Sequence, residues 1–406
     1  MALKLLINSL FRGGAEKQFA ALSKRLGADS IFLLDNIIAQ DAGPARLQVL
    51  SGHNASTSPY IKTASIPLYA RRLAALTGPG DTVLSFMERA NMVNVIAARR
   101  SGHRAVICER TRPSGEFSGL RGVLMRPLIR RFYPQASLIV ANSLGVKADL
   151  SANFSVPAEK IQVINNGCDI AAIAADAALP LDGAWEKVFR RPVIISSGRL
   201  TPAKNQWRLL RVFNAVKAAG GEPALVILGE GELLGSLVDL AKTLGLKAFY
   251  GPGAPPPEAD VYFAGYQENP CKFISKARVF VLTSLWEGFP NALVEALACG
   301  TPSLSADCQA GPREILAPGT PPERRAVKAE PSAYGVLMPV LSGSNPPADP
   351  SPEPVELAWA ENILEILNDR ALAEKYSGSG RERAADFEIS RIEQLWRGLL
   401  AQRATR

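Results

Sequence analysis

Histidine is nearly absent from this chain of 406 residues, which has only His53 and His103. A zinc site or a histidine-rich catalytic cluster therefore has too few ligands to build on. The five cysteines, Cys108, Cys168, Cys271, Cys299 and Cys308, are odd in number and scattered without metal-ligand spacing. That usage excludes a disulfide framework and points to a reduced, cytoplasmic interior. No Asp-x-Asp triplet occurs, so paired carboxylates offer a divalent ion no obvious seat. A G-x-G-x-x-G run after a strand is missing too, which argues against a dinucleotide oxidoreductase. No apolar run reaches the roughly 18 residues that would span a bilayer. Residues 1–11 carry a lysine before a short apolar segment, as a signal peptide does. The apolar core is too short, however, and Arg12-Gly13-Gly14 stands where a small-residue cleavage site belongs, so the segment reads as a first strand.

What is present describes a globular protein: 47% hydrophobic and 21% charged residues, over a length that suits two domains of roughly 150–200 residues. A net charge of +8 favours an anionic partner, whether a phosphate-bearing substrate, an acidic membrane surface or nucleic acid. Strand-like runs at residues 3–8, 30–34, 82–85, 105–108, 138–141 and 161–164 alternate with helix-like segments, the pattern of a βαβ sheet. The alanine-rich residues 169–185 predict the interdomain linker. The pattern then restarts, with strands expected at 192–196, 224–228, 261–263, 277–283, 302–305 and 335–338 and helices between them. Proline-rich pieces at 251–258 and 342–354 predict loops, and three helices close the chain. The fold class is α/β, with two doubly wound domains.

Chemistry concentrates on residues 284–300, a strand-to-helix junction. Asn291 is expected to cap the helix, and Gly300 followed by Pro302 ends it. Glu287 precedes a Gly288-Phe289-Pro290 turn, and Glu295 lies about one turn into the helix. Each carboxylate has two readings, as a partner of the helix dipole or as an acceptor for ligand hydroxyls. In the loop after strand 192–196, Arg199 and Lys204 form a fork and a point charge suited to a diphosphate. Gly13 and Gly14, at another strand-to-helix turn, either make a tight turn or let a phosphate or sugar approach the backbone. The arginine-rich stretch from Glu109 onward, with Arg110, Arg112, Arg126 and Arg130, interleaves Phe117, Leu120, Val123, Leu124, Leu128, Ile129 and Phe132. It reads either as a solvated helix face or as a surface for anionic headgroups or a lipid diphosphate.

The run Glu287-Gly-Phe-Pro-Asn-Ala-Leu-Val-Glu295 resembles the E-x7-E signature of retaining glycosyltransferases of family four, which have the GT-B fold of two Rossmann-like domains facing a cleft. Gly13-Gly14-Ala15-Glu16, Ser197-Gly198-Arg199 with Lys204-Asn205, Leu228-Gly229-Glu230-Gly231 and Gly265-Tyr266 with Asn269-Pro270 fall in the family's order, so the likeness covers nearly the whole chain. The resemblance implies residues 1–168 as an acceptor-binding domain, 169–387 as a nucleotide-sugar-binding domain, and 388–406 as a helix returning to the first. It also implies roles. Arg199 and Lys204 would hold the donor diphosphate, Glu295 the ribose, and Glu287 the donor sugar near its anomeric carbon. Gly13, Gly14, Gly229, Gly288, Phe289, Pro290 and Asn291 would line the donor through their backbones, with Tyr266 near the base. Many relatives carry a histidine after the strand that ends here at Cys108. This chain has Glu109, which either replaces it or is a structural partner of a nearby arginine, and a departing phosphate can itself take the acceptor proton.

The expected activity is metal-independent transfer, with retention, of a sugar such as an N-acetylhexosamine from a UDP-sugar to a hydroxyl of a lipid-linked or cell-surface saccharide. It would need no cofactor, metal or nucleic acid, and would take place in the cytoplasm or on the inner face of the plasma membrane. A UDP-sugar epimerase of the same fold and a non-catalytic nucleotide-sugar-binding module are the alternatives.

Overall fold

The computed structural model describes residues 2–117, 119–344 and 351–402, and the chain divides into two compact units. The first comprises Met1–Gly167 and Ile389–Arg406; the second comprises Cys168–Glu388.

In the first unit, short β-branched and leucine-rich runs form seven strands: β1 Leu3–Ile7, β2 Ser30–Leu33, β3 Arg46–Val49, β4 Thr82–Phe86, β5 Arg104–Glu109, β6 Leu138–Ala141 and β7 Ile161–Val163. All pairings are parallel and the order is β3-β2-β1-β4-β5-β6-β7. A parallel sheet needs cover on both faces. Helix Gly14–Leu26 buries Phe19, Leu22 and Leu26 on one of them. The final helix, Ile389–Ala401, joins it there, and Ile392, Trp396 and Leu399 enter the same core as Leu5, Ile7, Phe86 and Cys108. Strand β3 and the helices Pro59–Ala64 and Ile66–Ala74 are elements the sequence pattern does not announce.

The second unit repeats the scheme with β8 Val193–Ser197, β9 Ala224–Leu228, β10 Ala248–Tyr250, β11 Val261–Phe263, β12 Val279–Leu282, β13 Ser303–Ala306, β14 Glu330–Pro331 and β15 Val336–Met338. The order is β10-β11-β9-β8-β12-β13-β15-β14, parallel except for β14, which runs antiparallel to β15. The expected linker at 169–185 is corrected. Asp169 caps a helix Ile170–Ala178, and a second helix spans Gly183–Val188. Ile173, Leu181 and Val188 are buried in the unit's core with Phe273 and Leu293, because alanine favours helix and every third or fourth position supplies an apolar contact. Of the proline-rich pieces, 251–258 is loop; residues 345–350 of the other lie outside the described residues, and its last proline opens helix Pro354–Asn368.

In both units the strand order reverses beside the first strand: between β1 and β4, and between β8 and β12. Such switch points open a crevice at the carboxyl ends of the strands.

Candidate active site

At the β8/β12 switch point the loop after β8 runs through Arg199 and a short 3-10 turn, Pro202–Lys204, to Asn205, which adopts the left-handed conformation at φ 54°. The loop after β12 reaches back to it. Leu285 N donates to the Ala203 carbonyl at 2.8 Å, and the buried Thr283 hydroxyl donates to the carbonyls of Lys204 and Asn205 at 3.0 and 3.3 Å. This stitching brings together two groups 83 positions apart: Lys204 Nζ lies 2.5 Å from Glu287 Oε1. The same oxygen accepts from the Ser284 hydroxyl at 2.6 Å. Charge-assisted contacts of this length are among the strong ones, and Glu287 is 9% exposed with Ser284 fully buried.

Arg199 is exposed, and its guanidinium makes no hydrogen bond or ion pair among the described residues. Glu295 is half-buried and likewise unengaged among them. Gly288, Phe289 and Pro290 are buried, and the Phe289 ring packs edge-on against Phe387 at 5.2 Å. Asn291 does not cap the helix as expected. Pro290 holds the cap position at φ −74° and ψ 100°, and Asn291 is the first helical residue of Asn291–Cys299. Proline fits there because its fixed φ suits a helix entry and no N–H is wasted.

Two glycines let backbones close on this turn. Gly229, at φ 131°, lies so near Gly198 that a Cβ would overlap the Gly198 carbonyl. Gly311, at φ 92°, faces the Gly288–Pro290 turn, where a Cβ would stand 2.5 Å from Pro290 Cδ. The segment carrying Gly311 is fixed by Arg313, which is 3% exposed. Its guanidinium meets Asp307 Oδ2 at 2.5 Å, Glu330 Oε2 at 3.0 Å and Thr320 Oγ1 at 3.0 Å. Tyr266 is half-buried at the edge of the unit, its N–H directed to Glu230 Oε1 at 3.4 Å. No individual role was assigned from the sequence to Ser284, Thr283, Gly311 or Arg313. For Ser284 and Thr283 the available signal was their place between a buried strand and Glu287.

In the first unit Gly13 occupies the cap position of helix Gly14–Leu26 in extended conformation. Glu109, 1% exposed, closes its own loop. Oε1 accepts from the backbone N–H groups of Arg110 and Thr111 and from the Thr111 hydroxyl, at 3.0–3.2 Å. Oε2 accepts from the Tyr133 hydroxyl at 2.6 Å. Burial pushes its carboxyl up to about 7, against the pull of these donors. The Tyr133 hydroxyl also accepts from Asn91, Asn91 accepts from Ser85, and Asn94 links Ser85 to His103. Burial holds that imidazole neutral, with its pKa pushed down to about 4.

The basic stretch divides in two. Arg110 is not at the surface as expected of a membrane contact. It is 6% exposed and lies over the Phe86 ring, 4.6 Å from its centre. Arg112 lies 3.4 Å from Asp149, and Arg126 donates to the carbonyls of Phe117 and Ser114, both at 2.9 Å. Arg130 is exposed on helix Gly119–Phe132 and donates to the Asn153 carbonyl at 3.0 Å. That helix turns Met125 and Ile129 inward while Leu120, Val123 and Leu124 are exposed, the first two above 70%. Beside it lies a hollow of about 400 Å³ walled by Phe117, Val123, Arg126 and Arg130. Among the described residues no helix is long and apolar enough to cross a membrane, and no group of three or more His, Cys, Asp or Glu could hold a metal ion.

Two doubly wound sheets, parallel but for β14, are consistent with the GT-B fold of the proteins this chain resembles. The profile of the family "Glycosyltransferase Family 4" matches residues 12–172, and that of "Glycosyl transferases group 1" matches residues 183–333. An uncharacterized glycosyltransferase of Methanocaldococcus jannaschii is 30% identical over 332 residues, 79% of each chain. The N-acetylgalactosamine-N,N'-diacetylbacillosaminyl-diphospho-undecaprenol 4-alpha-N-acetylgalactosaminyltransferase of Campylobacter jejuni is 31% identical over 400 residues, 96% of each. Among solved structures, Anabaena HepE in complex with UDP and glucose superposes with a TM-score of 0.73 at 19% identity, over 99% of this chain and all of that one. The chain belongs to the group 1, family four-like glycosyltransferases.

Proposed function

We propose that the protein transfers a sugar, an N-acetylhexosamine in the first instance, from a UDP-sugar to a hydroxyl of a saccharide carried on a polyprenyl diphosphate, with retention and without a metal ion. The observation that carries this reading is the Lys204–Glu287 contact at the β8/β12 switch point, with Arg199 unengaged beside it. The Campylobacter relative, named for transfer to a diphospho-undecaprenol carrier, supports the acceptor class, and the HepE complex with UDP and glucose supports the donor class.

On this reading Lys204 and Arg199 take the diphosphate, doing by charge what a divalent ion does elsewhere. When the diphosphate draws Lys204 toward itself, Glu287 is freed to accept hydroxyls of the donor sugar and to hold C1 in place. Glu295 receives the ribose hydroxyls, and the N-terminus of helix Asn291–Cys299 adds its partial positive charge. The bond from C1 to the phosphate oxygen breaks as the acceptor oxygen bonds to C1 on the same face, and the acceptor proton passes to the departing phosphate. Oε1 of Glu109 is occupied within its own loop and Oε2 by the Tyr133 hydroxyl, which favours the phosphate as proton acceptor and gives Glu109 the task of shaping residues 110–111. The exposed Leu120, Val123 and Leu124 beside Arg130 suit peripheral docking on an anionic, cytoplasm-facing membrane surface. Transfer from UDP-N-acetylhexosamines to short prenyl-diphosphate-linked saccharides is the direct test. Lys204→Ala and Glu287→Ala should each lower kcat by about 100-fold or more; full activity in both would end this assignment.

A further inference from the structure

Arg110 follows the last residue of β5, on the ligand-binding side of the first unit's sheet. Its Nε, Nη1 and Nη2 are all buried without a hydrogen-bond partner. Its electrostatic partners are the Cys108 thiol and the nearby charge of Glu109, neither of which gives the fork an oxygen acceptor. Phe86, beneath the guanidinium, is itself packed against Phe19 at 5.2 Å and Trp396 at 6.2 Å. The Cys108 thiol is driven up to about 11 by burial and stays neutral. The carboxylate of Glu109 is spent on the backbone N–H of Arg110, on Thr111 and on Tyr133, not on the guanidinium. Asn142 donates to the Arg110 carbonyl at 3.0 Å and leaves its own Oδ1 buried and unpaired.

A guanidinium is always charged and presents five N–H donors in a fork. Burying its N–H donors without oxygen acceptors is costly. A fold keeps such a group where a ligand completes it. The fork matches the oxygens of a phosphoryl group, and both substrates of the proposed transfer carry a diphosphate. Resting on that reading of the function, we propose that Arg110 is an oxyanion receptor in the first unit, built to take phosphoryl oxygens of a substrate diphosphate, either that of the prenyl carrier or that of the nucleotide sugar.

Calorimetric titration of the full chain with UDP and with farnesyl diphosphate, farnesol serving as the diphosphate-free control, distinguishes the sources. Arg110→Gln should weaken one of the two probes by about tenfold or more while leaving the other and the control unchanged. Loss for farnesyl diphosphate assigns the carrier; loss for UDP assigns the donor. The melting temperature of the ligand-free variant should hold or rise. If Arg110→Gln does not fold, Arg110→Lys keeps the charge, loses the fork, and should show a smaller loss of the same probe. Wild-type affinity of the variant for both probes, with or without a fall in melting temperature, overturns the proposal and assigns Arg110 to packing. A wild-type chain that binds neither probe and transfers no sugar overturns the functional reading as well; one that binds and transfers while the variant binds equally overturns only the role of Arg110.

Discussion

In the unit of residues 168–388 the switch point sets opposite charges in direct contact, Lys204 against Glu287, and the same loop carries Arg199, exposed and unpaired among the described residues. In the other unit the corresponding place, between β1 and β4, is furnished with an amide and a strained backbone. Asn8 Oδ1 caps the Ala90 N–H at 3.1 Å, and Met87 turns β4 into its helix at φ 75°, a conformation few side chains accept. A cation stands there too, Arg89 in the first turn of helix Glu88–Ser101, but Asp35, which follows β2, holds it at 2.8 Å and takes Lys62 at 3.4 Å. One strand order thus serves two purposes. Topology decides where a crevice opens, and the residues on the flanking loops decide its charge: a Lys204–Glu287 contact in one unit, an Asp35-centred cluster in the other.

The largest effect expected from disturbing this contrast lies at Arg313. Cutting it to alanine strands Asp307 and Glu330 and should destabilise the second unit by about 3–5 kcal/mol. Hydrogen exchange resolved by segment should show the loss confined to residues 168–388; equal loss in the first unit would erase the distinction between the two. Acid should act in the opposite place. The native pKa of His103, about 4, lies below its ordinary 6.5. The unfolded chain therefore binds the proton first, and the stabilisation, complete above pH 6.5, is lost as pH falls through the window from 6.5 to 4. After allowance for solvent screening, the His103 share amounts to about 2 kcal/mol; Glu109, raised to about 7, works the other way in the same window, so the share is read as the difference between wild type and His103→Gln. Exchange at pH 7 and pH 4.5 measures it, and His103→Gln should flatten the difference; an unchanged slope would remove His103 as the cause. The smallest effect is the most local. Ser284→Ala takes one donor from Glu287 and should lower kcat/KM about tenfold with melting temperature held. Unaltered kinetics would mean that Lys204 alone orients the carboxylate.

Much of the architecture was readable beforehand, since parallel strands buried on both faces show up as runs such as Val279-Phe-Val-Leu282. Strand β3 was not, because Arg46-Leu-Gln-Val49 lies at the sheet edge, half-exposed, and carries no such run. The helices at 170–188 were hidden by composition, because alanine-rich sequence looks alike in a helix and in a spacer. At the site, residue types and spacing pointed to Lys204 and Glu287 separately. Their meeting depends on Thr283 and Leu285 gripping carbonyls 80 residues earlier in the chain, and nothing in local spacing carries such information. Arg110 shows the converse: an arginine among arginines reads as surface until the Phe86 ring beneath it is seen.

The helix Ile389–Ala401 belongs to the first unit although its residues come last, and it places Trp396 in that unit's core. During synthesis, then, the segment 1–167 emerges early but lacks one wall until more than 200 further residues have been made. The second unit, continuous in sequence, can close first. Until helix Ile389–Ala401 is made, the first unit would keep an apolar face uncovered.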